Sequence, residues 1–115
     1  MGDPFAERLE AVRLRFVTKF DARIEMIEAV MSQSDCEDRL NNLALAHREA
    51  HGLCGIGPTL GFVGTGKAAR LIERILLAAL KSERALTDDE IPRLLEGISL
   101  LRSTAAVEMH PAGLG

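Results

Sequence analysis

The chain has 115 residues, of which 47% are apolar and 27% charged, and its formal net charge at pH 7 is −3. This length and apolar content suit a single globular domain over residues 1–115 with one hydrophobic core. Charges of both signs are mixed without a basic stripe, and four phenylalanines are the only aromatic residues, so nucleic acid is not an expected partner. The longest apolar run, residues 75–80, is far shorter than the roughly 20 residues that cross a bilayer, and the N-terminus shows no secretory pattern. We therefore expect a cytoplasmic protein without a membrane segment.

Apolar residues recur at helical spacing in four segments, and the alternation typical of β-strands is absent. In the first segment Asp3 is a favourable N-cap, and the fixed backbone angle of Pro4 suits a first helical turn. One face then stays apolar for about seven turns. The pattern predicts one long helix whose buried face comprises Phe5, Leu9, Val12, Phe16, Phe20, Ile24, Ile27 and Val30 or Met31.

A second helix is predicted after a polar break at residues 32–35. The sequence Ser34-x-x-Glu37 forms a capping box, in which each side chain satisfies a free backbone N–H of the new helix. Several glycines and Pro58 crowd the other end of this helix, and they could break it, because an interior glycine costs roughly 1 kcal/mol and an interior proline roughly 3. If the helix extends that far, its buried stripe comprises Leu43, Ala46, Ala50, Leu53, Gly57 and Leu60.

Two further helices complete the pattern. The third carries a wide apolar stripe, suited to the middle of a bundle, that comprises Ala68, Leu71, Ile72, Ile75, Leu76, Ala79 and Leu80. The fourth begins near Thr87-x-x-Glu90, a second capping box, with Leu86 and Ile91 placed as a hydrophobic staple. Its buried face comprises Ile91, Leu94, Ile98, Leu101 and Ala105, and residues 111–115 are expected to form a loose tail. Four such helices joined by short loops predict an all-α fold, an antiparallel up-down four-helix bundle.

His51 is expected to face solvent, because on a helical wheel it lies roughly 130° from the centre of the buried stripe. Its neighbours one turn away are His47, Arg48, Cys54 and Gly55. Small residues on this surface leave room for another protein to reach an exposed imidazole. Gly55 is the most telling of them, because it weakens the helix and offers no side chain to pack, which favours a steric reason for its small size.

The run AHGLCGIGPTLG at residues 50–61 resembles the signature of the histidine-phosphotransfer (Hpt) domain family, H-x-L-K-G followed six residues later by glycine. The sequence Arg48-x-Ala50 before it and Leu71-Ile72-Glu73 after it are also similar to the family. So is the opening helix, with Phe16 and Phe20 near its middle. The likeness follows the order and length of nearly the whole chain.

By this resemblance the chain is a phosphocarrier without an ATP site, rather than an enzyme. His51 is implied to accept a phosphoryl group from phospho-aspartate on one receiver domain and to pass it to another. Gly55 is implied to give clearance for the receiver, and Gly61 to lie where the second helix gives way to the third. The partners are expected to be receiver domains of response regulators or hybrid histidine kinases. These would supply the Mg²⁺, so the domain is implied to need no cofactor of its own. A complete four-helix core removes the need to dimerise, so we expect a monomer.

Cys54 departs from the family pattern, which usually has lysine three residues after the histidine, where its charge can steady the phosphoryl group. A cysteine cannot supply that charge. Arg48, one turn before His51, could supply it, as could Lys67 or Arg70 from the third helix. The departure also supports an alternative function, a non-catalytic Hpt-like bundle that binds a kinase or receiver domain as a regulator.

His47, His51 and Cys54 share one helix face, a spacing that could hold zinc together with Cys36, His110 or a carboxylate. Three ligands on one helix are a weak signal, and we expect no metal site. Because no Cys-x-x-Cys spacing is present, both cysteines are expected to be reduced thiols. His47 lies at the edge of the buried stripe and is interpreted as a boundary residue that hydrogen-bonds locally.

The segment Gly61-x-x-x-x-Gly66-Lys67 matches most of a phosphate-binding loop, but Ala68 follows where Mg²⁺ binding requires serine or threonine. Such a loop must also follow a buried β-strand, which this stretch does not resemble. We interpret the segment as the turn that opens the third helix. An ATP-dependent kinase is therefore not an expected function.

Overall fold

The computed structural model describes residues 3–32 and 36–109, and these form four α-helices and no strand. Helix α1 spans Pro4–Glu28 and continues into a short 3-10 helix at Ala29–Ser32. Helices α2, α3 and α4 span Cys36–Thr59, Val63–Lys81 and Glu90–Met109. The all-α prediction is confirmed. Ser34, the side chain of Glu37 and residues 111–115 lie outside the described part of the structure, and with them the predicted capping box and tail.

Buried apolar side chains from all four helices form one core. No helix in the described ranges has the length and apolar content needed to cross a membrane. The core is built on the predicted helical spacing, and its large members include Phe16, Phe20, Ile24, Ile27, Leu43, Leu53, Phe62, Ile72, Leu76, Leu94 and Leu101.

Helix α1 begins as predicted, with an Asp3 carboxylate oxygen accepting from the Phe5 backbone N–H at 3.0 Å. The prediction that Phe5 and Val12 are buried is wrong, because they are 72% and 41% exposed. Arg13 donates two hydrogen bonds to the Leu60 carbonyl, in the connection between α2 and α3. Arg13 thus lies level with the end of α2, and the turns of α1 before it extend beyond that end. Phe5, in the first of these turns, is therefore largely exposed. Val12 lines an open groove between α1 and α2.

Helix α2 survives its glycines and Pro58 and ends at Thr59, so the predicted stripe extends to Leu60. Pro58 has no N–H to donate to the Cys54 carbonyl, so it removes one hydrogen bond of α2, and the helix ends one residue later. The chain then reverses through Gly61, whose φ of +94° suits glycine. The Phe62 N–H donates to the Gly57 carbonyl at 2.8 Å and the Gly61 N–H to the Pro58 carbonyl at 3.0 Å. This pattern is a Schellman motif, which satisfies the last carbonyls of α2.

Helix α3 begins at a cap supplied by α4. The Glu108 carboxylate accepts from the backbone N–H of Gly64 at 2.8 Å and of Thr65 at 2.7 Å, and from the Thr65 hydroxyl at 2.6 Å. Burial raises the pKa of Glu108, but these hydrogen bonds outweigh burial and lower the pKa overall. One predicted member of the buried face of α3 is wrong, because Leu71 is 47% exposed. It lines an open groove between α3 and α4 beside Leu100.

Helix α4 begins with the predicted capping box. The Thr87 N–H donates to a Glu90 carboxylate oxygen at 2.9 Å, and the Glu90 N–H donates to the Thr87 hydroxyl at 3.1 Å. Arg84 donates to both oxygens of the same carboxylate. Hydrogen bonds from Arg84 hold the pKa of Glu90 at about 2, although burial opposes the shift. Leu86 and Ile91 line one hollow, as expected of a hydrophobic staple.

Candidate functional site

The imidazole of His51 projects from α2 with 70% of its side chain exposed, as the helical wheel predicted. Ala50 and Leu53 beside it are fully buried, so the backbone of this turn is fixed against the core. The His51 ring leans towards α3, where its Nδ1 lies 3.0 Å from Oε2 of Glu73. The side chain of Glu73 is only 19% exposed, so the carboxylate is held in place between the two helices.

This contact determines which ring nitrogen of His51 is reactive. An ionised carboxylate accepts hydrogen bonds and has none to donate, so Nδ1 must carry the proton in the pair. In the neutral ring the lone pair then resides on Nε2. Nε2 makes no hydrogen bond to the described residues. The site therefore presents an exposed imidazole whose Nε2 is free to act as a nucleophile.

His47 lies one turn before His51, and the two rings stack with centroids 6.0 Å apart and planes inclined by 19°. The ring of His47 is half-buried, and its Nε2 is enclosed without a hydrogen-bond partner among the described residues. The expected local hydrogen bond is thus not formed by this nitrogen. His47 supports one face of the His51 ring and is less accessible than His51.

Four glycines of α2 and α3 fall into two pairs with different surroundings. A Cβ added at Gly52 or Gly55 would meet no atom within 4 Å. In contrast, a Cβ at Gly57 would lie 3.3 Å from the Phe62 carbonyl oxygen, and one at Gly66 of α3 would lie 2.6 Å from the Pro58 ring. Packing within the fold thus accounts for the second pair of glycines and not for the first. The first pair forms a bare surface beside His51.

The predicted supporting residues separate into two places. Cys54 is half-buried with a free thiol, and it lines a surface hollow of about 160 Å³ together with Lys67 and Arg70 of α3. Arg48 is exposed on α2 and does not line that hollow. The structure thus brings Cys54, Lys67 and Arg70 together, one turn from the pair formed by His51 and Glu73.

Within residues 3–32 and 36–109, no three His, Cys, Asp or Glu side chains lie close enough together to hold a metal ion. The side chain of Cys36 and residue His110, considered as ligands from the sequence, lie outside the described side chains. The segment that resembled a phosphate-binding loop has Gly61 in the turn after α2, but Gly66 and Lys67 lie inside α3. It follows a helix rather than a strand, which agrees with its interpretation as the turn that opens α3.

Glu73 is the one site residue to which sequence reasoning gave no role. In the sequence, Glu73 stands out only as the last residue of Leu71-Ile72-Glu73, the segment that is similar to the Hpt family. The helical register of α3 could have indicated it, since Glu73 lies next to the buried Ile72 and one turn after Ala69, at the edge of the apolar stripe. An acidic residue at such an edge can reach across to a neighbouring helix.

Comparisons of the chain with protein-family models, with curated proteins and with solved structures found no match.

Proposed function

We propose that this chain is a histidine-phosphotransfer protein that carries a phosphoryl group on His51 between phospho-aspartate receiver domains. The observation that carries the proposal is the exposure and hydrogen bonding of the His51 ring. The ring is exposed, its Nδ1 is held by Glu73, and its Nε2 is free beside a surface kept bare by Gly52 and Gly55. Such a ring can meet a second protein and attack an activated phosphorus atom without a buried base of its own.

In the proposed reaction the Nε2 lone pair attacks the phosphorus of a receiver phospho-aspartate. The Nε2–P bond forms while the P–O bond to the aspartate breaks, and the aspartate leaves as a carboxylate. Glu73 keeps the proton on Nδ1 and compensates the positive charge that develops on the ring. The reverse sequence returns the phosphoryl group to a second receiver. The Mg²⁺ that assists both steps would be supplied by the receiver, so the domain would need no cofactor of its own.

The same proposal includes the arrangement of the helices, an antiparallel up-down bundle. Three features support it. A tight turn at residues 60–62 joins α2 to α3, and Glu108 near the end of α4 caps the start of α3. Arg102 of α4 also pairs with Glu28 at the end of α1, at 2.9 and 2.8 Å, so these two helices are neighbours. We propose that the bundle acts as a cytoplasmic monomer.

The direct experiment is transfer of radiolabelled phosphate from a panel of preloaded receiver domains to the native chain and to His51→Ala. We expect acid-labile label on the native chain and none on the variant, because phosphohistidine is labile in acid. His47→Ala is the matched control, since it removes the neighbouring ring and leaves the proposed acceptor. Label that persists in His51→Ala, or label lost only in His47→Ala, would contradict the assignment of His51.

A second function is favoured by one specific residue. Cys54 stands where the family usually has lysine, so the chain could bind a kinase or receiver domain as a non-catalytic regulator. Measuring binding and transfer in the same experiment separates the two functions. Receivers that bind the chain and keep their label would favour the regulator, whereas transfer to His51 would favour the carrier.

A further inference from the structure

A phosphoryl group on His51 would add negative charge to a site that already contains the Glu73 carboxylate. The group carries close to two negative charges at neutral pH, and it would be attached to a ring whose other nitrogen lies 3.0 Å from the Glu73 carboxylate. The Glu73 carboxylate compensates the positive charge that develops on the ring, so the negative charge of the phosphoryl group is left without a counterion of its own. A phosphorylated His51 therefore requires nearby cations, and the Cys54 side chain of the same helix supplies none.

A hollow beside Cys54, one turn after His51 on α2, is lined by two cations. It is lined by Cys54, Pro58, Val63, Gly66, Lys67 and Arg70, and its volume is about 160 Å³. Helices α2 and α3 approach each other closely here, because a Cβ at Gly66 would lie 2.6 Å from the Pro58 ring and 3.3 Å from the Cys54 carbonyl oxygen. Lys67 directly follows this close approach at Gly66, and Arg70 lies one turn further along α3.

Lys67 and Arg70 are also available for an anion. Both are exposed, and neither forms an ion pair with any described residue. Arg70 lies one turn before Glu73, the residue towards which the His51 ring leans. Arg48, the other cation considered from the sequence, lies outside the hollow.

We propose that Lys67 and Arg70 of α3 bind the phosphoryl group of phospho-His51, so that the phosphoryl-binding charge comes from the helix opposite the histidine. The proposal rests on the proposed function of His51. Arg70 offers a planar guanidinium that can donate to two phosphoryl oxygens, and Lys67 adds a mobile point charge. Cys54 leaves the hollow uncharged from the α2 side, and its small side chain leaves space for the cations of α3.

The test uses phosphoramidate, a small donor that requires no partner protein. The Nε2 lone pair attacks its phosphorus, the Nε2–P bond forms and the P–N bond of the donor breaks. The donor nitrogen is already protonated in the zwitterion, so it leaves as neutral ammonia while Nδ1 of His51 keeps its proton. We would measure the rate of His51 labelling and the lifetime of phospho-His51 in the native chain and in the double variant Lys67→Gln with Arg70→Gln. The expected result is a rate lower by about tenfold and a shorter lifetime, an effect kept modest because exposed cations are screened by solvent.

Two further variants make the test specific. Adding Cys54→Lys to the double variant should restore the rate, because it returns one cation to the hollow from the α2 side. Arg74→Gln is the matched control, since Arg74 lies on the same helix but lines the groove towards α4, and its rate should equal that of the native chain. The native rate should fall towards that of the double variant as salt is raised to 1 M.

The outcomes separate the two proposals. If His51 is labelled normally in both the native chain and the double variant, the assignment of Lys67 and Arg70 is overturned and the role of His51 stands. A loss of rate in Arg74→Gln equal to that of the double variant would also overturn it, because net charge alone would then explain the effect. If neither phosphoramidate nor any loaded receiver labels His51 in the native chain, both proposals fail.

Discussion

Replacing Glu73 by alanine should change the tautomer of His51, because the carboxylate oxygen 3.0 Å from Nδ1 is what keeps the proton on that nitrogen. A hydrogen bond to a charged group contributes roughly 1.5–3 kcal/mol when it is shielded from water. Here the carboxylate is mostly buried, but the ring is 70% exposed, so we take about 1 kcal/mol after solvent screening. That free energy corresponds to about a fivefold change in the ratio of the two neutral tautomers.

The tautomer can be measured by ¹⁵N NMR of the imidazole side chains at a pH where the ring is neutral. We expect the native chain to show Nδ1 protonated and Nε2 bare, and Glu73→Ala to shift the ratio about fivefold towards Nε2–H. Phosphorylation of His51 by phosphoramidate should slow by up to the same factor, because fewer rings then have a lone pair on Nε2. Glu73→Gln is the control, since its amide oxygen can still accept from Nδ1–H. An unchanged tautomer ratio in Glu73→Ala would refute the reasoning.

Three further predictions concern the glycine surface and the helix caps. Gly55→Gln should leave thermal unfolding unchanged or raise its midpoint, and should leave labelling by phosphoramidate intact, yet slow transfer from a loaded receiver by about tenfold. Glu108→Ala removes three hydrogen bonds at the start of α3 and should cost about 1–2 kcal/mol, a fall of roughly 4–8 °C or more in the midpoint. Glu90→Gln should cost about 1–2 kcal/mol at pH 7, measured by urea unfolding.

Each of these predictions has a control built into the chain. Gly66→Ala should destabilise the fold by about 1–3 kcal/mol, because its Cβ would clash with the Pro58 ring. Equal changes in stability on substituting Gly55 and Gly66 would contradict the conclusion that packing requires glycine at Gly66 and not at Gly55. Glu108→Gln should recover part of the loss seen in Glu108→Ala, since one amide oxygen can still accept from backbone N–H groups. A Glu108→Ala variant as stable as the native chain would argue against the cap. So would a Glu108→Gln variant no more stable than Glu108→Ala.

The prediction for Glu90 has a defined pH window. Its pKa in the folded chain is lowered from 4.5 to about 2, so the stability it contributes is present above pH 4.5 and is lost as the pH falls through that interval. The difference between the native chain and Glu90→Gln should therefore shrink as the pH falls below 4.5 and vanish below pH 2. A difference that is independent of pH over this range would show that the ion pair with Arg84 is not its source.

Helical spacing was sufficient to predict the four helices, because amphipathic periodicity and capping residues act within single segments of the chain. The errors arose where burial depends on a neighbour. Phe5 and Leu71 continue their apolar stripes correctly, but Phe5 runs past the packed part of the bundle and Leu71 lies over an open groove. Periodicity specifies which face of a helix is apolar, whereas the length over which another helix covers that face is a tertiary property.

At the candidate site, too, features set within one helix could be predicted from the sequence, whereas contacts between helices could not. The exposure of His51 followed from its position on α2 alone, and the bare surface at Gly55 from the sequence of one turn. The contact between His51 and Glu73 joins residues 22 positions apart, and it depends on the close approach of α2 and α3 at Gly66. The grouping of Cys54 with Lys67 and Arg70 depends on the same approach, so the sequence could name these cations as candidates without separating them from Arg48.

The most direct test of the central claim is a two-step transfer. The native chain would first be labelled by one receiver preloaded with radioactive phosphate, then separated from it and mixed with a second, unlabelled receiver and Mg²⁺. The account predicts that acid-labile, alkali-stable label on His51 decays as alkali-labile aspartyl label appears on the second receiver, and that His51→Ala carries no label at either step. A native chain that binds both receivers while the label stays on the first would contradict the phosphocarrier account and favour a non-catalytic regulator.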